Sequence, residues 1–289
     1  MSRLQHTSVL LKEVVNGFEN LQNGGICVDC TIGGGGHTEG LILNYPDISV
    51  IGIDRDPQAV KIAGENLSRF GAQVRIFQRS FSDLDDLLDD LGIEKVDAIL
   101  ADLGLSSFQI DETERGFSFK KAGPLDMRMG LNGKSALDVV NNYSAEEIER
   151  VIRDFSEERF AKSIASSIIK KRPIMTTDEL VKAIFSSLPS YAKKDWKKIV
   201  TRVFQAIRIE VNDELVNLEK LLEISKRRLK KGGRIAIISF HSLEDRIVKY
   251  AFKENEFMPI TKKPLVPGND EINSNTRSRS AKLRISERV

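Results

Sequence analysis

Asp29, Thr31, Gly33 and Gly35 place an acid and three small residues on alternate positions of the run CVDCTIGGGGH, and Asp54 ends the run VIGID that follows. Glycine adopts positive φ without steric cost and lets a ligand approach the backbone, while a carboxylate at the end of the next strand suits the hydroxyls of a ribose. The combination points to a nucleoside-cofactor pocket. Asp102 ends a fourth apolar run. It offers a carboxylate to a substrate, or, more simply, a cap for its own turn.

Spacing separates the cofactor classes. A dinucleotide fingerprint needs G-x-G-x-x-G opening the helix. Here Thr38 and Glu39 stand where the third glycine would fall in the two available registers. The alternation Asp29, Thr31, Gly33, Gly35 instead resembles the D-x-G-x-G-x-G signature of class I S-adenosylmethionine methyltransferases, with Thr31 replacing the first glycine. Cys27 and Cys30 have C-x-x-C spacing, but no second cysteine pair exists and His6, His37 and His241 are scattered. Buried structural cysteines on opposite faces of a strand are therefore expected, and no metal site.

These residues need a scaffold that brings strand ends together. Short apolar strands are predicted at Ile26–Cys30, Val50–Ile53, Val74–Phe77 and Val96–Leu100. Helical spacing separates them, with Val60, Ala63, Leu67 and Phe70 on one face and Leu84, Leu87, Leu88 and Leu91 on another. Alternating β and α units imply a parallel sheet with right-handed crossovers. From about Asp111 to Glu210 the pattern turns helical, with capping-box spacings at Ser144/Glu147 and Thr176/Glu179. Phe160, Ile164 and Ile168 form one apolar stripe, and Trp196, Ile199, Val203 and Ile207 another. Such stripes read as core, and Trp196 falls on one, although its place amid KKDWKK also suits a platform for a stacked base. Strand character resumes at Arg234–Phe240 after a helix expected to end at Gly232–Gly233. The expectation is an α/β fold, a Rossmann-like parallel sheet formed by residues 1–110 and 208–289, with an inserted all-helical domain at 111–207. Ligands of such sheets bind beyond the carboxyl ends of the strands, so the insert is placed to hold a substrate.

The net charge of +2 hides an uneven distribution over 289 residues. Residues 83–114 are acidic, whereas cations gather at Lys193–Lys198, Lys226–Arg234 and Arg277–Arg284. Each cluster could contact RNA phosphates or simply solvate a helix face. No apolar run approaches a membrane-span length and no secretory signal is evident, which favours a cytoplasmic address.

Nine strings carry a family resemblance: HTSVLL, CVDCTIGGGGHT, IGIDRDPQA, DLGLSSFQID, ERGFSF, GPLDMRM, RVFQAIRIEVNDEL, ISFHSLEDRIVK and RSRSAKLR. From His6 to Arg284 the chain resembles the ribosomal RNA small subunit methyltransferase H family, with Thr276 standing where that family has proline. The resemblance implies a class I methyltransferase fold, S-adenosyl-L-methionine as donor, and methylation of a cytosine N4 in the decoding region of 16S rRNA. It implies cofactor contacts from Gly35, Gly36, His37, Asp54, Phe81, Asp102 and Gln109, with the Phe81 ring beside the adenine. Asp102 is the candidate catalytic residue, holding the acceptor's amino group. The partner implied is 16S rRNA or the small ribosomal subunit, and a dimer is among the oligomeric states left open. Two other classes share features: a non-catalytic rRNA-binding assembly factor would share the basic surface, and an NAD-dependent oxidoreductase the glycine turn.

Overall fold

The computed structural model describes residues 8–130 and 132–289. His6 and Thr7, which open the HTSVLL string, lie outside the described residues. Two compact units emerge: the described residues up to Gly104 together with Leu215–Val289, and Leu105–Glu214. Division there keeps whole two helices, Ser107–Asp111 and Trp196–Asn212, that boundaries at 110 and 208 would cut.

The first unit is built on a seven-stranded sheet: β1 (Gly25–Asp29), β2 (Ile48–Asp54), β3 (Val74–Gln78), β4 (Val96–Asp102), β5 (Leu229–Ser239), β6 (Phe257–Pro259) and β7 (Lys282–Arg288). Their spatial order is β3-β2-β1-β4-β5-β7-β6. The first five run parallel, whereas β7 is antiparallel to both β5 and β6. A dinucleotide-binding sheet has the order 3-2-1-4-5-6. Insertion of an antiparallel strand before the last position sets this sheet apart, and the fold is the class I methyltransferase, Rossmann-like type. Strand order reverses between β1 and β4, so the crevice expected of such a sheet opens at the ends of those two strands.

Both faces of the sheet are covered, which is why its central strands β1, β2, β4 and β5 are largely apolar. One face packs against the helices Leu84–Asp90, Glu214–Arg228 and Ser242–Ala251 through Leu87, Leu88, Leu218, Leu221 and Val248. The opposite face packs against Leu11–Gly17 and Gly36–Asn44 through Val14, Leu41 and Ile42. Each fully buried aliphatic side chain of this kind contributes about 1.5–3 kcal/mol. Cys27 belongs to the second face and Cys30 to the first, and both are free thiols. Burial, reinforced by the Asp29 charge, pushes both thiols well above their ordinary range, which makes them inert.

Three local expectations are corrected by the structure. The helix before β5 ends at Arg228, and Gly232–Gly233 lie inside the β5 stretch. Gly232 has φ +79°, and the register of β5 against β4 shifts between Val96 and Ala98, so these glycines serve an irregularity in the strand. The helix Pro57–Leu67 is capped by Asp56, whose carboxylate accepts from Gln58 N at 3.0 Å. It buries Ala59, with Ala63 and Leu67, in preference to Val60, and it stops before Phe70.

In Leu105–Glu214 the described residues form helices and turns, with one isolated bridge between Pro124 and Thr176. Both predicted capping boxes are formed, at Ser144/Glu147 and Thr176/Glu179, and two more occur at Ser106/Gln109 and Ser135/Asp138. A Ser or Thr cap is worth about 1 kcal/mol. Ile164, Ile168, Ile199, Val203 and Ile207 are all core, while Phe160 and Trp196 pack against it with part of each ring outside. The GPLDMRM string is held by the RVFQAIRIEVN helix. Asn212 donates through Nδ2 to Met127 O and accepts through Oδ1 from Met129 N, each at 2.8 Å. Met127 is left-handed at φ +60°, a strain this clasp holds in place. Among the described residues, no helix is long and apolar enough to cross a membrane.

Candidate functional site

The glycine turn follows β1 and opens the helix Gly36–Asn44. Gly33 at φ +51° and Gly35 at φ +85° occupy the left-handed region that other residues avoid. A Cβ on Gly35 would also come within 2.8 Å of Leu67, so this position is closed to any larger residue. A Cβ added at Gly33 or Gly34 would meet nothing nearer than 3.8 and 4.0 Å, respectively. That open margin is a cradle for a ligand lying against backbone.

Two carboxylates shape the turn. Asp29 is buried and accepts from Thr31 N at 3.2 Å and from Thr38 Oγ1 at 2.7 Å. Burial raises its proton affinity, opposed by the nearby His37 and by these two hydrogen bonds. It is a staple between strand and helix. Asp54 reaches back from the end of β2: its Oδ2 accepts from Gly33 N at 3.0 Å and its Oδ1 from Asp56 N at 2.9 Å. Burial pushes its pKa up to about 6 despite those two donors. A carboxylate oxygen accepts more than one hydrogen bond. Asp54 therefore retains acceptor capacity for a diol while fixing the turn.

His37 lies in the first turn of the following helix and is buried. Its Nε2 is 2.9 Å from Val9 O. A carbonyl can only accept, so Nε2 carries a proton and donates to it, and Nδ1 is the ring nitrogen turned the other way. Nδ1 lies 3.9 Å from Asp102 Oδ2. Asp102 ends β4, its backbone N donates to Thr31 Oγ1 at 2.7 Å, and its Oδ1 accepts from Gly104 N at 3.3 Å. One oxygen thus caps the turn, as the simpler reading had it, and the other faces the imidazole. Its side chain is 20% exposed.

Gly35, Gly36, His37, Asp54 and Asp102 accordingly stand at the ends of β1, β2 and β4 in a single unit. Phe81 follows β3 in the short turn Phe81–Asp83, capped by Ser80, with its ring partly buried against the sheet's apolar layer. Gln109 belongs to Leu105–Glu214, where its Oε1 accepts from Ser106 N at 3.1 Å and closes a capping box.

Sequence reasoning missed the work done by Thr31. Its hydroxyl ties the end of β4 to the turn after β1, across the reversal in strand order. The signal was present as a threonine where the methyltransferase signature has glycine. The SFHSLEDR string also acquires a structural role. His241 caps the helix Ser242–Ala251, Glu244 accepts from Phe240 N at 2.8 Å, and Asp245 binds Lys282 at 3.1 Å and Arg284 at 2.7 Å. Two of the four cations in RSRSAKLR are thereby ion-paired within the fold.

Comparison with known proteins agrees over the length of the chain. Residues 3–289 match the MraW methylase family. The ribosomal RNA small subunit methyltransferase H of Thermosipho africanus is 48% identical over 289 residues, covering 99% of this chain and 98% of that protein. The protein of that name from Persephonella marina is 45% identical over 294 residues, covering 99% and 100%. That from Clostridioides difficile is 42% identical over 308 residues, covering 98% and 99%.

Proposed function

The chain belongs to the MraW methylase family, and from that premise we propose that it transfers a methyl group from S-adenosyl-L-methionine to N4 of a cytosine in the decoding region of 16S rRNA. The observation that carries this reading is the mounting of Asp54, His37 and Asp102 around a glycine cradle at the reversal of strand order. Gly35 and Gly36 hold the donor's methionine and ribose portions, Asp54 takes the ribose hydroxyls, and Phe81 offers its face to the adenine. The family resemblance assigns Gln109 a donor contact as well, and the helical unit recognises the RNA.

The donor supplies an electrophilic methyl group on a sulfonium. Cytosine N4 is a poor nucleophile because its lone pair is delocalised into the ring, so holding it in line with the methyl carbon is the main requirement. Asp102 Oδ2 accepts an amino hydrogen, which orients the nitrogen and offsets the positive charge that develops as the N–C bond forms and the C–S bond breaks. The leaving proton passes to that carboxylate. A stacked base cannot reach such a site, so the cytosine is flipped out or already unpaired.

The test is mass spectrometry of 16S rRNA, naked and in assembled subunits, after incubation with the chain and isotope-labelled donor. A labelled N4-methylcytidine is expected. Binding of rRNA without donor consumption would favour the assembly-factor reading.

A further inference from the structure

Between Arg159 and Arg202 the chain carries eleven Lys and Arg against three Asp and Glu. Those three acids are occupied: Asp178 pairs with Lys182, Asp195 lies 3.6 Å from Lys198, and Glu179 closes its capping box. Among the described residues, no carboxylate lies within ion-pairing distance of Arg159, Lys193, Lys194 or Lys197. Three of these cations sit over aromatic rings. The Arg159 guanidinium is 4.7 Å from the Phe160 ring centre and 5.7 Å from that of Tyr191. Lys193 is 5.1 Å from the Phe185 ring and Lys197 5.8 Å from that of Trp196.

The rings form two braced pairs. Phe160 and Tyr191 lie 6.2 Å apart, and Phe185 and Trp196 lie 6.1 Å apart. In each pair the inner ring packs on the helical core while the outer ring stands in solvent, Tyr191 at 63% exposed and Phe185 at 38%. Tyr191 and Lys193 share the turn Ser190–Asp195, which joins the two pairs into one surface. A solvated cation has no need of an aromatic ring beneath it, and exposing large rings forgoes their burial energy. Fixed rings alternating with uncompensated cations suit a strand whose bases stack and whose phosphates carry charge. A stably paired duplex hides its base faces, so the complementary ligand is an unpaired one.

We propose that the face carrying Tyr191 and Phe185 is a stacking platform for unpaired ribonucleotides of the substrate RNA, with Arg159, Lys193 and Lys197 neutralising the adjoining phosphates. The proposal rests on the reading of the substrate as RNA and adds the residues that grip it. Fluorescence anisotropy of a labelled oligocytidylate against the full chain tests it. Tyr191→Ala is expected to weaken binding roughly tenfold with an unchanged salt slope, since stacking is lost without loss of charge. Tyr191→Phe should bind as wild type does. Reversal of Lys193 and Lys197 to Glu should weaken binding and flatten its salt dependence. Thermal melting confirms that these exposed substitutions leave the fold intact. Equal affinity of wild type, Tyr191→Ala and Phe185→Ala would overturn the platform, as would failure of the wild-type chain to bind the oligonucleotide. Donor binding by calorimetry and rRNA labelling report separately on methyl transfer, so the platform can fall while that reading stands.

Discussion

Two basic clusters of similar appearance have opposite fates. All of the cluster Lys226–Arg234 but Lys231 is spent internally: Arg228 binds Asp85 and Asp89, Arg227 binds Asp85, Lys226 binds Glu223 and Glu254, Lys230 binds Asp97, and Arg234 binds Glu287. Three acids of the stretch after residue 83, Asp85, Asp89 and Asp97, are thereby neutralised. Within Lys193–Lys198, by contrast, Lys193 and Lys197 face aromatic rings and only Lys198 meets an acid among the described residues. A run of cations becomes a binding surface only where the fold leaves it unanswered. The carboxylates divide likewise: Asp85, Asp89 and Asp97 meet cations of this cluster, whereas Asp54 and Asp102 accept from backbone amides of their own turns.

The sharpest test of this division is Asp102→Ala. Loss of the acceptor at N4 should lower methyl transfer by about a hundredfold or more while donor affinity changes much less; labelled-donor kinetics would place Asp102 among the structural acids if turnover stayed within a few-fold. Next comes Asp54→Ala, which removes charge-assisted hydrogen bonds to the ribose and should weaken donor binding about 10- to 100-fold by calorimetry.

Asp54 also gives the site a pH signature. Because burial raises its pKa from 3.8 to about 6, the folded chain binds an extra proton between those values. Ionising Asp54 then costs stability: the ligand-free protein should lose stability as pH rises from 3.8 to about 6, from this group alone. Donor affinity should run the other way and fall as pH drops through about 6, because the hydroxyls need the carboxylate. Melting and calorimetry across that window measure both, and Asp54→Asn should abolish both slopes. The smallest effect belongs to the spent cluster. Arg228→Ala should cost about 1 kcal/mol of stability in denaturant melts and leave oligonucleotide affinity unaltered. A fall in affinity there would erase the distinction between the clusters.

Local chemistry made much of this legible in the sequence. The apolar strand runs and the capping boxes at Ser144 and Thr176 are written within a few residues of where they act. What was not legible depends on distant partners. Arg228 and Asp85 are 143 residues apart, and no local pattern tells a paired arginine from an open one. Gly232–Gly233 resembled a helix end because glycines at helix ends and in strand irregularities answer the same need for positive φ. A stacking platform was legible in this segment only as Trp196, whereas the exposed ring of Tyr191 lies outside any apolar stripe and Trp196 packs against the core.

The hydroxyl of Thr31, held by the Asp102 amide at 2.7 Å, gives the glycine turn and the β4 carboxylate a common mount. In-line methyl transfer is intolerant of misplacement, with an error near 1 Å costing about a hundredfold in rate. Two parts on separate strands would accumulate independent errors, whereas two parts bolted together drift as one. If the proposed roles of the turn and Asp102 hold, Thr31 sets the tolerance of the assembly without touching donor or acceptor.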